Sequence, residues 1–314
     1  MRRALALALY FFLAAFTARA AQQHGAWHLT DRSDGRMQIA LISDHNQNSH
    51  PIERTAFTGL TAAQIDASAD TPVDFRMVRD AGTLHFTGSF LHGDGVGRFT
   101  FEPNASYVAT LRGLGVEASE LDDERLFSLA IHDVSASFIR EMQSLGYRED
   151  LDRYVAFRIH GATPQFVREL NALGYKPDGE ALVRFRIHGA TTEFIRDIRA
   201  LGYQPDAEEL VRFRIHGVSP EFIKGMKELG VRDLESDNLV KLRIHGASVD
   251  YVRELRDLGY PNLTADQLVS MRIHGVSTSY IRDLRNAGYA NIPVEKLVSM
   301  RIHGIDAEFV RKTK

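Results

Sequence analysis

Histidine is the residue type whose spacing most suggests chemistry in this sequence. It recurs within the tetrapeptide Arg-Ile-His-Gly, or a close variant, at seven positions: His132, His160, His188, His216, His245, His274 and His303. Successive intervals are 28, 28, 28, 29, 29 and 29 residues. Seven imidazoles at one repeat position suit metal binding, or protonation of all seven together at about pH 6. We favour helix capping, because a C-terminal histidine bonds the last carbonyls. Neighbouring copies about 10 Å apart are too distant to share an ion.

Two series of basic residues keep the same period as the histidines. One stands two residues before each histidine from His160 onward, and the other follows the histidine by eight: Arg168, Arg196, Lys224, Arg253 and Arg282. A basic stripe would suit phospholipid or acidic glycans. Because an acidic residue directly follows every member of the second series except Lys224, a solvated, salt-bridged surface is favoured. The candidate binding surface is the tetrapeptide itself, at Arg158, His160, Arg186, His188, Arg214, His216, Arg243, His245, Arg272, His274, Arg301 and His303.

Sequence motifs for catalysis are missing. There is no GxSxG, no HExxH and no cysteine, and the Gly93–Gly97 run predicts a hairpin, since no phosphate-binding Lys-Ser/Thr follows it. The remaining histidines of the first hundred residues are scattered: His24, His28, His45, His50, His85 and His92. We therefore predict a non-enzyme without cofactor or metal. Two alternatives stay open: a pH- or metal-responsive envelope sensor, and a hydrolase or carbohydrate-binding protein with its site in the N-terminal region.

Each tetrapeptide is followed by a segment with clear helix signals. Thr163 is a good N-cap, Pro164 stands at the first helical position, and Gly174 suits a left-handed helix ending. The equivalent cap positions in the other copies are Ser135, Thr191, Ser219, Ser248, Ser277 and Asp306. We expect a first helix of about ten residues in each unit.

The second segment of each unit allows two interpretations. Capping boxes, which open a helix, are formed by Asp206 with Glu209 and by Thr264 with Gln267. The same segment also has the alternation of apolar and polar residues that is typical of a strand, with apolar residues at Val211, Phe213 and Ile215. We favour helix–turn–helix units stacked into an all-α solenoid, with helix-plus-strand units as the alternative. The predicted core of one unit is Phe166, Val167, Leu170, Leu173, Leu182, Val183, Phe185 and Ile187.

The region before the repeats changes period from helical to two. Alternating apolar residues and glycines at turns predict a small antiparallel β domain, with one short helix near Thr61–Ala67. The predicted fold is α+β and multidomain: a signal peptide at 1–20, the β domain at 21–103, and about seven helical repeats at 104–314. An open array end at Phe309–Lys314 suggests the further hypothesis of self-association.

The N-terminal sequence and the composition indicate where the protein is located. The N-terminus is typical of a signal peptide that is cleaved after Ala20. It consists of Met1-Arg2-Arg3, an apolar run from Ala4 to Phe16, and Ala18-Arg19-Ala20. The apolar run is shorter than the about 20 residues that span a bilayer. We predict an exported protein, periplasmic or secreted, without a stable membrane anchor. A formal net charge of −3 argues against nucleic-acid binding.

Three stretches together resemble a known family. The segments Arg79–Gly88 and Gly95–Asn104, with the Arg-Ile-His-Gly repeats, are similar to the exported tail regions of BlaR1-type membrane metallopeptidases and to related secreted bacterial repeat proteins. The family's peptidase domain carries a zinc-binding HExxH, which this sequence lacks. The resemblance therefore implies sensor-side or accessory architecture without proteolysis. Taken with the repeats, it suggests a non-enzymatic scaffold for an unidentified protein partner, accessory to envelope signalling.

Overall fold

A computed structural model describes residues 23–43, 47–118 and 121–312. The proposed signal peptide and His45 lie outside the described residues. The chain divides into two compact units, Met1–Arg140 and Glu141–Lys314, and each is described by itself. The expected α+β architecture is confirmed, because an antiparallel sheet is followed by a succession of short helices.

The first unit contains one six-stranded antiparallel sheet in the order β3-β2-β1-β6-β5-β4. Its strands are β1 His24–Asp31, β2 Met37–Ile42, β3 Gln47–Ile52, β4 Thr71–Arg79, β5 Gly82–Leu91 and β6 Asp94–Pro103. Its helices are α1 Ala62–Ile65, α2 Ser106–Gly113 and α3 Asp123–Ile131, with a 3-10 turn at Arg54–Ala56. The predicted hairpin is present: β5 and β6 pair Leu91 with Asp94 across a two-residue turn.

One face of the sheet is buried and aromatic. The Trp27 ring meets Phe75 edge-on at 5.4 Å, and Phe75 stacks on Phe86 at 4.8 Å. A Cβ on Gly88 or Gly97 would meet strand backbone and the Trp27 indole at under 3 Å, so this pair of glycines leaves the space the indole occupies. The third helix closes the same core, since Phe127 stacks on Phe99 at 5.6 Å.

Helices continue from the end of the first unit through the second. They are α4 Ala136–Ser144, α5 Leu151–His160, α6 Pro164–Ala172, α7 Gly179–His188, α8 Thr192–Ala200, α9 Ala207–His216, α10 Pro220–Glu228, α11 Ser236–Ile244, α12 Val249–Asp257, α13 Ala265–Ile273, α14 Thr278–Asn286, α15 Val294–Ile302 and α16 Ala307–Lys312. The even-numbered members are the first helices of the units, and the odd-numbered members are the second helices. In the second unit, each second helix packs on the next second helix, and each first helix on the next first helix.

The predicted caps open the first helices. In each of the seven copies the hydroxyl or carboxylate of the cap residue accepts the backbone N–H three positions later, at 2.8–3.2 Å. Both predicted capping boxes of the second helices are also formed. The helix–turn–helix interpretation is therefore confirmed, and the strand alternative is wrong.

The predicted core of one unit needs one correction. Ile187 is 53% exposed, and Leu173 is half-buried. The other predicted core residues are buried: Phe166, Val167, Leu170, Leu182, Val183 and Phe185. At 100° per residue, Ile187 lies roughly 140° around the helix from Leu182, which faces the interior. An apolar residue five positions after a core residue therefore points outward, and the prediction of Ile187 as core was wrong.

Candidate functional site

The Arg-Ile-His-Gly tetrapeptide forms the C-terminal end of every second helix in the second unit. Its glycine has a left-handed backbone in each copy, with φ between 68° and 71°, which ends the helix. The residue after the glycine donates its N–H back to the carbonyl five positions earlier, as from Ala190 to Phe185 at 2.8 Å. The sharp turn therefore places arginine, isoleucine and histidine at one edge of the array, once per repeat.

The arginines of the tetrapeptide clamp neighbouring repeats together. Arg214 donates its Nε–H to the carbonyl of His188 at 3.2 Å, and its guanidinium lies 4.9 Å from the Phe194 ring centroid. The same pair of contacts recurs for Arg186, Arg243 and Arg272, and the ring contact also recurs for Arg301. The arginine thus satisfies a C-terminal helix carbonyl of the preceding repeat and gains a cation–π contact.

The clamp uses only part of each guanidinium. An arginine carries five N–H donors, and the interaction with the histidine carbonyl occupies the Nε–H alone. Among the described residues no carboxylate pairs with Arg186, Arg214, Arg243, Arg272 or Arg301, and their Nη hydrogens have no hydrogen-bond acceptor. The edge therefore carries a positive charge in successive repeats, with donors left over for a ligand.

The histidines at this edge are exposed or half-buried. Capping by the imidazole is confirmed at His303, whose Nδ1 lies 2.8 Å from the Ser299 carbonyl. At four other copies the capping group is the arginine of the next repeat, and the histidine contributes its backbone carbonyl: His160, His188, His216 and His245. The sequence could not reveal that an arginine caps this carbonyl, because the arginine and the histidine lie 26 or 27 positions apart.

Between each arginine and histidine lies an isoleucine that faces solvent. We call these residues the isoleucine row: Ile159, Ile187, Ile215, Ile244, Ile273 and Ile302. Their exposed fractions run only from 51% to 58%, so the exposure is the same in every repeat. The equivalent residue of α3, Ile131, is buried within the first unit at 4% exposure. The row is the feature that the sequence analysis missed, although six outward isoleucines on a helical wheel were a detectable signal.

The neighbouring charged rows are largely neutralised within the array. On the second helices, Arg184 pairs with Glu208 and Arg212 with Asp237, both at 2.9 Å. On the first helices, Arg168 pairs with Glu141, and Arg282 with Glu254 at 2.7 Å. Hydrogen bonds from Thr278 and Arg282 lower the pKa of Glu254. The predicted salt-bridged surface is thus found on the first helices, which leaves the tetrapeptide edge as the distinct surface.

The first unit contains histidine–carboxylate pairs, among them His28 with Asp94 and His85 with Glu102, the latter at 3.5 Å. His28 Nε2 lies 3.0 Å from Asp94 Oδ1, beside a shallow cavity of about 460 Å³ that Ser89 also lines. His28 and Ser89 both pair with Val96 of β6 from opposite sides, so one strand separates them. Two strand spacings amount to about 10 Å, too far for a serine–histidine hydrogen bond. The described residues contain no group of three or more potential metal ligands.

Comparison with protein-family models, with curated proteins and with solved structures gives no match. The class of protein therefore follows from its own fold: a small antiparallel β unit followed by an all-α array of helix–turn–helix repeats. In the part of the chain that the structure describes, no helix is long and apolar enough to cross a membrane.

Proposed function

We propose that the protein is an extracytoplasmic, non-enzymatic scaffold that binds a protein partner along the isoleucine row. The observation that carries the proposal is the uniform exposure of one large apolar side chain per repeat. A single exposed isoleucine needs no explanation, whereas six at one repeat position form an apolar line. Repeat arrays use such extended surfaces for binding, and each repeat contributes the same contact.

The arginines that flank the row support the same proposal. Their aliphatic and guanidinium groups are held in place by the clamp on the preceding repeat, so little side-chain entropy remains to be lost on binding. An apolar line beside ordered arginines has the composition of a protein interface, where apolar residues and arginine are enriched. Export as a periplasmic or secreted protein, and a role accessory to envelope signalling, belong to this proposal on the strength of the N-terminal sequence and the BlaR1-type resemblance.

Site-specific photo-cross-linking tests this function. A photoreactive phenylalanine replaces Ile215, and in a matched control it replaces Lys224, whose side chain is 69% exposed on a first helix. In cell-envelope extract we expect one defined protein adduct from position 215 and none from 224. Adding an excess of unlabelled wild-type protein removes the adduct, while an excess of the Ile187→Ser, Ile215→Ser, Ile244→Ser variant does not. No adduct at position 215, or the same adducts at both positions, would contradict the proposal.

A further inference from the structure

The spacing of the isoleucine row and the charge of the arginines beside it together restrict which ligand can bind there. Neighbouring second helices pack directly on each other, and packed helices lie about 8–10 Å apart. Successive isoleucines therefore present contact points at about that interval. A bound segment that uses every repeat must offer an apolar side chain at the same interval and on the same side.

Of the regular backbone conformations, polyproline II meets this condition best. It rises about 3.1 Å per residue with three residues per turn, so every third side chain points the same way after about 9.3 Å. A β-strand turns successive side chains to opposite faces, so residues three apart point in opposite directions. An α-helix returns to the same side after seven residues, or about 10.5 Å, at the upper limit of the spacing.

The unused arginine donors separate the two remaining conformations. A polyproline II backbone has no internal hydrogen bonds, so its carbonyls are free to accept the Nη hydrogens of Arg186, Arg214 and Arg243. The backbone of an α-helix is already satisfied internally. Carboxylates beside the apolar residues would in addition pair with the same guanidinium groups, which have no carboxylate partner among the described residues.

The acidic residues seven positions after Arg243 and Arg301 do not neutralise these arginines. Asp250 pairs with Arg253, and Glu308 with Lys312 at 2.6 Å, each within its own first helix. The positive charge of the tetrapeptide edge is therefore available to a ligand.

We propose that the isoleucine row binds an extended acidic segment of its partner in the polyproline II conformation, with an apolar residue at every third position and a carboxylate beside it. This inference rests on the proposed scaffold function and names the chemistry of the partner. Each apolar residue packs on one isoleucine, and each carboxylate pairs with the arginine of that repeat.

Fluorescence anisotropy with defined peptides tests this inference on the chain from Ala21 to Lys314. The probe is a labelled peptide of six Ile-Pro-Asp units, and one comparison peptide has the same composition in shuffled order. Further comparison peptides carry Lys in place of Asp, or carry Ile and Asp at heptad spacing in a helical sequence. Vesicles of phosphatidylglycerol and phosphatidylcholine are assayed separately by flotation.

We expect the period-three peptide to bind saturably and about tenfold more tightly than the shuffled peptide. The Ile187→Ser, Ile215→Ser, Ile244→Ser variant weakens that binding by about tenfold or more. The control variant Val78→Ser, Val96→Ser removes two equally exposed apolar residues of the first unit and leaves binding unchanged. The Lys-containing peptide does not bind.

Several results would overturn the inference. Equal binding of the shuffled peptide means that charge alone attracts the ligand, and tighter binding of the heptad peptide means that the partner is helical. Binding to vesicles but to no peptide means that the surface recognises anionic lipid. If cross-linking at position 215 yields a protein adduct while the period-three peptide fails, only this inference falls. If cross-linking also fails, the scaffold function falls with it.

Discussion

At the scale of single residues, the tetrapeptide arginine is best understood as a structural clamp with donors to spare. It caps a carbonyl of the preceding repeat and lies over an aromatic ring of that repeat. A residue that sequence alone marks as a binding candidate therefore also holds two repeats together. A substitution at this position changes stability as well as binding, and for this reason the binding tests use the isoleucines.

Replacement of one clamp arginine tests this structural role. We expect Arg214→Ala to lower the free energy of unfolding by about 1–2 kcal/mol, the sum of an exposed cation–π contact and a hydrogen bond. Arg214→Lys should lose less, because an ammonium group can still lie over Phe194. Urea unfolding followed by circular dichroism measures both. The exposed Lys224→Ala serves as control and should stay within about 0.5 kcal/mol of wild type; an equal loss there would remove the clamp explanation.

A second residue-scale feature is a set of tyrosines that bond the backbone of the following repeat. Tyr251 donates its hydroxyl to the Val276 carbonyl at 2.6 Å, and Tyr147 donates to the Pro177 carbonyl at 2.7 Å. Burial raises the pKa of Tyr251 to about 12. Burial, with the charges of Asp178 and Glu149, raises the pKa of Tyr147 to about 12 as well. The folded array therefore favours the neutral phenols.

This pKa direction predicts how stability depends on alkaline pH. A group whose pKa is raised on folding contributes its full stability below its unfolded pKa of about 10, and loses it as the pH rises toward 12. We expect unfolding by urea to become easier from pH 10 upward, with tyrosinate absorbance at 295 nm appearing late and together with unfolding. In Tyr147→Phe, Tyr251→Phe the loss between pH 10 and 12 should be smaller. An unchanged loss would mean that other groups govern the alkaline transition.

At the scale of helices, the ends are better specified by the sequence than the faces. The caps at Thr163 and Ser219 and the capping boxes were predictable, because each depends on residues within one turn. The outward direction of Ile187 departs from the prediction, because the side chain is apolar and yet lies on the solvent side of the helical wheel. The arginine clamp was not predictable at all, because it depends on how one repeat lies against the next.

The glycine that ends a second helix is constrained twice where the arginine of a following repeat lies against it. Gly217 has φ of +71°, and a Cβ there would lie 2.9 Å from Nη2 of Arg243. Gly304 has nearly the same φ, +68°, but a Cβ added there would meet no atom within 4 Å among the described residues. The first constraint is a property of the helix end, whereas the second comes from the clamp of the following repeat.

These two constraints can be separated by substitution. We expect Gly304→Ala to cost about 1 kcal/mol, the left-handed backbone penalty alone. Gly217→Ala should cost about 1 kcal/mol more, because the guanidinium must move off the Phe222 ring. In an Arg243→Ala background that additional cost should disappear, as chemical denaturation of the four proteins would show. Persistence of the extra cost without the arginine would contradict the second constraint.

At the scale of the whole molecule, the second unit repeats one interface. Each second helix meets the next through the same apolar contacts and the same arginine clamp, so each repeat depends mainly on its immediate neighbours. The first unit differs, because its sheet has an aromatic core of its own. Removal of one internal repeat in register should therefore create no new kind of contact.

Deletion of Gly189–His216 tests this independence directly. The 28 deleted residues equal the interval from His188 to His216, so His188 is joined to Gly217 and Arg-Ile-His-Gly is restored. We expect a folded protein with unchanged helicity per residue, a smaller urea m-value in proportion to the lost surface, and one isoleucine fewer in the row. The contrasting deletion Gly189–Ala200 removes one first helix with the turn before it, places a second helix where a first helix belongs, and should lose cooperative unfolding. If both deletions fold equally well, or both unfold, the repeats are not the independent units that their shared interface implies.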